Sequence, residues 1–318
     1  MPGKGYCLFD FLKRQKTLSG LTAVGLLADG VCLAQVERQG ANRPRLTACE
    51  LLAMTPGEEG KTLAQLCARR GLKRARCTTL LGASDYQLLL TEAPDVGPDE
   101  LKKALRWKIK DLIDFHINDA TLDVFDLPGA TPGAKAREMY TVASRSEAIQ
   151  RRVDLLTAAG IGLDVIDIPE LAQRNLAALL PEDAAGVALL SLQDKSGLVT
   201  VTRQGSLYLS RALNIGHESL RSAADPALYF DHIVLEIQRS LDYFESHFRE
   251  APIRHLVLAP LAEPVPGLVD YLGANLSVAV GSMDLAALLD SDVELTPALQ
   301  SGCLTTIGAA LRQEAMTL

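Results

Sequence analysis

No run of apolar residues in this 318-residue chain reaches the ~18 needed to cross a bilayer as a helix, so the expectation is a cytoplasmic protein. The start of the chain also lacks the order of a secretory signal. Cys7-Leu8-Phe9 and Phe11-Leu12 precede Lys13, Arg14 and Lys16, and the apolar stretch is short. Residues 1–19 read as a flexible leader, with contact between residues 6–16 and a membrane surface as the alternative. Long basic blocks are missing too. The nearest are Lys13-Arg14-Gln15-Lys16 and residues 69–76, and the net charge is −7. The sequence pI of about 5.3 agrees, and nucleic acid is not an expected partner. None of the six cysteines (Cys7, Cys32, Cys49, Cys67, Cys77 and Cys303) forms a C-x-x-C pair. Most lie in apolar patterns and read as small buried hydrophobes. The five histidines (His116, His217, His232, His247 and His255) lack zinc-ligand spacing, so no metal site is expected.

What is present is a globular composition, 48% hydrophobic and 22% charged, enough for about two domains. One pattern appears twice. Residues 21–27, 31–37 and 45–54 read as three strands, followed by a helical stretch at 63–70. Residues 187–192, 198–203 and 207–213 repeat the strands. Asp29-Gly30 is the kind of pair that tolerates a left-handed hairpin backbone. A duplicated α/β architecture around a cleft follows, against the alternative of two unrelated meanders.

Between the copies, residues 79–91 read as one or two strands broken at Ala83-Ser84-Asp85, and 98–115 as a helix. Residues 122–127, 139–143 and 163–168 read as strands, 146–159 and 169–180 as helices, and 129–136 as a Gly/Pro/Ala loop. After the second copy, the longest helical pattern spans 227–248, with Phe230, Val234, Ile237, Leu241 and Phe244 as its buried stripe. A strand at 253–259, a helix at 268–276 and a short strand at 277–280 follow. The closing helix, 297–312, carries Ser301, Gly302, Gly308, Ala309 and Ala310, small enough for close packing.

The runs EIQRSLDYF at 236–244, LVLAP at 256–260, GLVDYL at 267–272 and TIGAALR at 306–312 resemble the PilM family. Residues 100–115, DVFD at 123–126, TVAS at 141–144, AAG at 158–160 and DIPELA at 167–172 fit in the same order. The resemblance covers roughly residues 20–315; its specificity lies in the ordered sum. PilM is the actin-like, FtsA-like cytoplasmic component of type IV pilus assembly. The MSHA-pilus (MshI-type) branch looks closest, with GspL-type secretion-system domains more distant. The resemblance implies an actin-like ATPase fold with an FtsA-style insert. The first lobe would span 20–185 with an inserted subdomain at about 84–167. The second lobe would span 186–297, and residues 298–318 would pack back on the first.

Actin-like ATPases grip phosphate with two hairpins, each carrying an Asp and a Gly. Here the first reads Gly25-Leu26-Leu27-Ala28-Asp29-Gly30, with Leu27 at the Asp position and Ala34 where a Lys often lies. The second reads Ser191-Leu192-Gln193, with Asp194 out of register. The adenosine loop, usually S-G-G, reads Ala259-Pro260-Leu261, and Pro260 has no N–H to offer. A non-catalytic pseudo-ATPase without a cofactor is expected; Mg-ATP binding is the alternative. Gly25, Asp29, Gly30 and Asp194 are the residues that would serve it. Glu236, Arg239 and Ser240 would join them if their helix face borders an adenosine pocket rather than solvent.

The resemblance further implies that the chain binds a short cytoplasmic peptide of a PilN-like inner-membrane protein. The expected groove lies between the first lobe and its insert, with Leu88, Leu90, Leu101, Leu105 and Trp107 as contacts. Trp107 lies off its helix's apolar stripe, as an exposed anchor or packed on a neighbour. A pilus-assembly ATPase is a further implied partner. Membrane association would be indirect, and the oligomeric state, including FtsA-like filaments, stays open.

Overall fold

The computed structural model describes residues 20–313, apart from 39, 41, 76, 129–137, 223 and 224. The expected leader and the Gly/Pro/Ala loop lie outside the described residues.

The first three strands, β1 (Gly20–Leu26), β2 (Gly30–Glu37) and β3 (Arg45–Ala53), form an antiparallel meander. Helix α1 (Glu59–Arg70) leads to β4 (Cys77–Leu80), parallel to β1. Next come β5 (Tyr86–Glu92), α2 (Pro98–Ile109), β6 (Ala120–Asp126), β7 (Glu138–Arg145), α3 (Ser146–Ala158), β8 (Leu163–Asp167) and α4 (Pro169–Ala177). The second meander is β9 (Val187–Leu192), β10 (Gly197–Arg203) and β11 (Ser206–Leu213). It is followed by α5 (His217–Ser222), α6 (Ala227–His247), β12 (His255–Leu258), α7 (Leu268–Asn275) and β13 (Ala279–Ser282). The chain closes with α8 (Leu285–Leu288), β14 (Asp290–Ser291), α9 (Pro297–Gly302) and α10 (Leu304–Ala310).

The duplication is visible in strand order. One sheet runs β14-β3-β2-β1-β4-β8 and the other β11-β10-β9-β12-β13. Removing β14 leaves two identical topologies, each an antiparallel meander extended by two parallel strands. The central strands are apolar on both faces, as strands covered on both sides should be. Val24, Val31 and Leu33 pack under Leu63 and Leu66 of α1 and Leu156 of α3. The opposite face, with Ala23, Cys32 and Ala34, meets Ala172 and Leu176 of α4, Ile307 of α10, and Val187, Leu189 and Val257 of the second sheet. The far face of that sheet packs on Phe230, Ile233, Ile237 and Phe244 of α6 and Leu268 and Leu272 of α7. The layers are therefore helix, sheet, helix, sheet, helix.

The small residues of the closing segment act as expected. A Cβ at Gly308 would collide with the Ala172 backbone, and Asn175 Nδ2 donates to the Gly308 carbonyl at 2.9 Å. The single helix expected at 297–312 is instead two, broken at Cys303 with φ −103° and ψ 10°. Cys303 is disulfide-bonded to Cys32 of β2, with the Cα atoms 5.7 Å apart. This corrects the reading of both as plain hydrophobes. Cys49 and Cys77 do behave as buried thiols; burial pushes each up to about 12.

A separate sheet, β5-β7-β6, carries α2 on one face through Ile109, Ile113, Leu89, Leu122 and Ala143. Helix α2 ends at Ile109 rather than 115, where Leu112 N–H turns back to the Ile109 carbonyl at 2.9 Å. The stretch expected as the insert, about 84–167, is divided in the structure. Strand β8 pairs with β4 in the first lobe's sheet, and Leu156 of α3 sits in that lobe's core. The separate sheet itself runs from Tyr86 to Arg145. Among the described residues no helix is long and apolar enough to cross a membrane.

Candidate functional site

The tips of the two hairpins meet in a cleft of about 420 Å³ between the lobes. Asp29 enters from the β1–β2 turn and Asp194 from the β9–β10 turn, with Lys195, His217 and Pro260 also in the lining. The two aspartates singled out in the sequence therefore line one cavity. They are the carboxylates available to a metal there, yet no group of three or more potential metal ligands occurs among the described residues.

Part of the main chain around these tips is used within the hairpins and by α5. Leu27 N–H donates to the Gly30 carbonyl and Gln193 N–H to the Ser196 carbonyl, each at 2.8 Å, closing the turns. The Gln193 and Asp194 carbonyls accept from His217 and Glu218 N–H at 2.7 and 2.9 Å, which docks α5 on the second hairpin. Gly216 permits that approach, because a Cβ there would collide with the Asp194 carbonyl. Neither Asp29 nor Gly30 takes a positive φ, so the first turn does not use the left-handed backbone the pair would allow. Gly25 and Gly30 do not line the cleft. A Cβ on Gly25 would collide with Thr306 Oγ1 of α10, and one on Gly30 would come within 2.8 Å of the Leu52 carbonyl oxygen. These glycines make room for helix and strand packing. Apart from Lys195 and His217, the lining offers little positive charge to a phosphate facing two aspartates.

Glu236, Arg239 and Ser240 lie outside this cleft. Arg211 of β11 donates to the Glu236 carboxylate at 3.0 Å and Arg239 at 2.7 Å, and the Arg211 bond is the main reason that carboxyl sits below its usual range. Ser240 is buried, its Oγ donating to the Glu236 carbonyl at 2.7 Å. This face of α6 clamps β11.

A second concavity, of about 380 Å³, lies between the insert, the first lobe and the second lobe. Tyr86, Leu88, Leu90 and Tyr140 supply one wall, Glu170 the floor, and Leu209–Ala212 of β11 with Tyr243 the other wall. Leu88 is half-buried and Leu90 exposed. The five expected contacts separate here. Side chains alternate along β5, so Leu88 and Leu90 face the second lobe while Leu89 faces α2. Leu105 is fully buried, Leu101 is half-buried on the α2 side, and Trp107 is 75% exposed on α2's outer surface. The insert's own sheet thus stands between the two leucines of the groove and the three residues of α2.

Several groove residues were missed. Glu170, at the start of α4, accepts from Tyr86 Oη at 2.5 Å; burial raises both groups' pKa values. Tyr140 Oη donates to the Tyr208 carbonyl at 3.0 Å, joining insert to second lobe. The period-two run Tyr86, Leu88, Leu90 was the sequence signal for this wall.

Residues 93–224 match the sequence model of the type IV pilus assembly protein PilM. No curated protein matches the chain significantly. A solved PilM–PilN type IV pilus biogenesis complex matches with a TM-score of 0.71 and 21% identity, over 92% of this chain and 97% of that one. The cytoplasmic domain of EpsL, an inner-membrane component of the Vibrio cholerae type II secretion system, matches at 0.51 with 14% identity, over 93% and 97%. A Bacteroides thetaiotaomicron protein of actin-like ATPase fold and unknown function matches at 0.50 with 9% identity, over 91% and 96%. In sequence over 93–224 and in fold over both lobes, the chain is PilM-like, with an actin-like architecture.

Proposed function

We propose that the chain is a non-catalytic adaptor of a type IV pilus assembly platform. It would bind a short cytoplasmic segment of a PilN-like inner-membrane protein and so be held at the membrane through that partner. The observation that carries this reading is the apolar groove at Leu88 and Leu90. Three of its elements, β7, α4 and β11, fall within the stretch that matches PilM. The solved relative is a complex of PilM with PilN, which supports a partner of that kind. A pseudo-ATPase reading accompanies it. The hairpin glycines serve packing, the second hairpin's carbonyls hold α5, and Pro260 offers no donor.

The test is calorimetric titration of the full chain with Mg-ATP and, separately, with the N-terminal peptide of a PilN-type protein encoded beside it. Peptide heat without ATP, and no ATP heat, supports the reading. Micromolar ATP binding abolished by Asp29→Ala or Asp194→Ala would replace it with a nucleotide-dependent one. The likeness to EpsL favours a second reading, a GspL-like scaffold of a secretion system. Titration with the cytoplasmic segments of pilus and secretion partners separates the two, and an MSHA-type neighbour would place the chain in that branch.

A further inference from the structure

Strand β11 ends its sheet, so one edge has no strand beside it among the described residues. Such an edge presents main-chain donors and acceptors at strand spacing and is a template for another chain. Here it borders the groove, because four consecutive residues, Leu209–Ala212, line the cavity.

The edge is partly occupied by a side chain. Tyr140 Oη donates to the Tyr208 carbonyl at 3.0 Å. The Tyr140 hydroxyl therefore takes the place that a neighbouring strand would fill at the Tyr208 carbonyl. Because main-chain groups alternate in direction along an antiparallel strand, the Ser210 carbonyl and the Ala212 N–H also point outward. Neither has a hydrogen-bond partner among the described residues. Ala212 is exposed and Ser210 half-buried. Facing them across the cavity are Leu88 and Leu90.

We infer that the groove binds its partner by strand addition: an extended apolar segment pairs with the outer edge of β11 at Ser210–Ala212. This rests on the adaptor reading above and specifies how that site recognises its ligand. A residue opposite Arg211, running parallel to β11, would donate its N–H to the Ser210 carbonyl and accept from the Ala212 N–H. Its neighbours would place apolar side chains on Leu88 and Leu90. Tyr140 acts as the stop. It already occupies the Tyr208 carbonyl, so pairing begins past it. Main-chain bonds supply the docking and the two leucines the selection, the division of labour expected for strand addition.

The experiment uses the full chain and the N-terminal peptide of the neighbouring PilN-type protein. Amide hydrogen exchange is followed with and without peptide, and a set of peptides is N-methylated one residue at a time. Strand addition predicts slowed exchange at the Ala212 amide. It also predicts a loss of about tenfold in affinity when the amide opposite Arg211 is methylated, with small effects at the residues either side. Leu90→Asp should weaken binding while leaving the fold intact, since Leu90 is exposed. If the peptide binds, Leu90→Asp weakens it, and yet Ala212 exchange is unchanged and methylation has no positional effect, strand addition is wrong and the adaptor reading survives. Should no such peptide bind at any concentration tested, the adaptor reading itself falls.

Discussion

The cleft between the lobes and the groove beside the insert are of similar size, about 420 and 380 Å³, but their surfaces differ in kind. In the cleft, Leu27 and Gln193 N–H close the two turns, and the Gln193 and Asp194 carbonyls hold α5 on the second tip. In the groove, main-chain groups of an edge strand face outward next to exposed leucine. The two concavities thus differ in what their walls present: turn main chain with two aspartates in one, an edge strand beside leucines in the other. A cavity's place in a fold does not assign its chemistry; the free donors, acceptors and charges on its walls do.

The comparison can be broken most severely at the layer both regions share. Gly308→Val should destabilise the protein by about 3 kcal/mol, because the added side chain drives into the Ala172 backbone. Urea denaturation measures it, and a near-neutral result would mean that α10 is free to shift. Leu90→Asp comes next, acting on the groove alone. Loss of one buried leucine contact should cost about 2 kcal/mol of peptide binding, with thermal stability unchanged. Asp29→Ala and Asp194→Ala, on the cleft side, should leave peptide affinity where it was.

A smaller effect involves pH. Burial holds the Glu170 carboxyl above its usual range. The folded state therefore takes up this proton at a higher pH than the unfolded chain does. Glu170 favours folding most at low pH, and that contribution is lost as pH rises through the raised folded value. Glu170→Gln keeps an acceptor for Tyr86 Oη but does not titrate. Relative to wild type it should gain stability as pH rises from about 4.5 toward neutrality. Denaturation curves at several pH values check this; a constant difference would show that Glu170 is not held above its normal range. The smallest effect is expected at Trp107, on the far side of the insert's sheet. Trp107→Ala should change peptide affinity less than twofold, and a large loss would move the binding surface to α2.

Much of the fold was legible because periodicity and turn chemistry act locally. The two meanders, the break at Ala83-Ser84-Asp85 where the chain leaves the first sheet, and the buried stripe of α6 all rest on short-range signals. The pairing of Asp29 with Asp194 across one cleft followed from the duplicated pattern and the family resemblance. The rest depended on long-range packing. Nothing local says that Cys32 meets Cys303, that β14 returns to the edge of β3, or that β8 belongs to the first lobe's sheet. Leu105 and Leu88 share an apolar character, and only the sheet between them decides that one is core and the other groove. The Glu236 face left solvent and a ligand both open in the sequence, because charged residues at helical spacing look alike whether they meet a nucleotide or Arg211.

The central claim is that this PilM-like chain recognises a peptide and does so without nucleotide. Calorimetric titration with the N-terminal peptide of its PilN-type neighbour, in the absence and presence of Mg-ATP, tests it most directly. The account predicts peptide binding of equal affinity in both conditions and no heat from Mg-ATP alone. Peptide binding that appears only with Mg-ATP would contradict it.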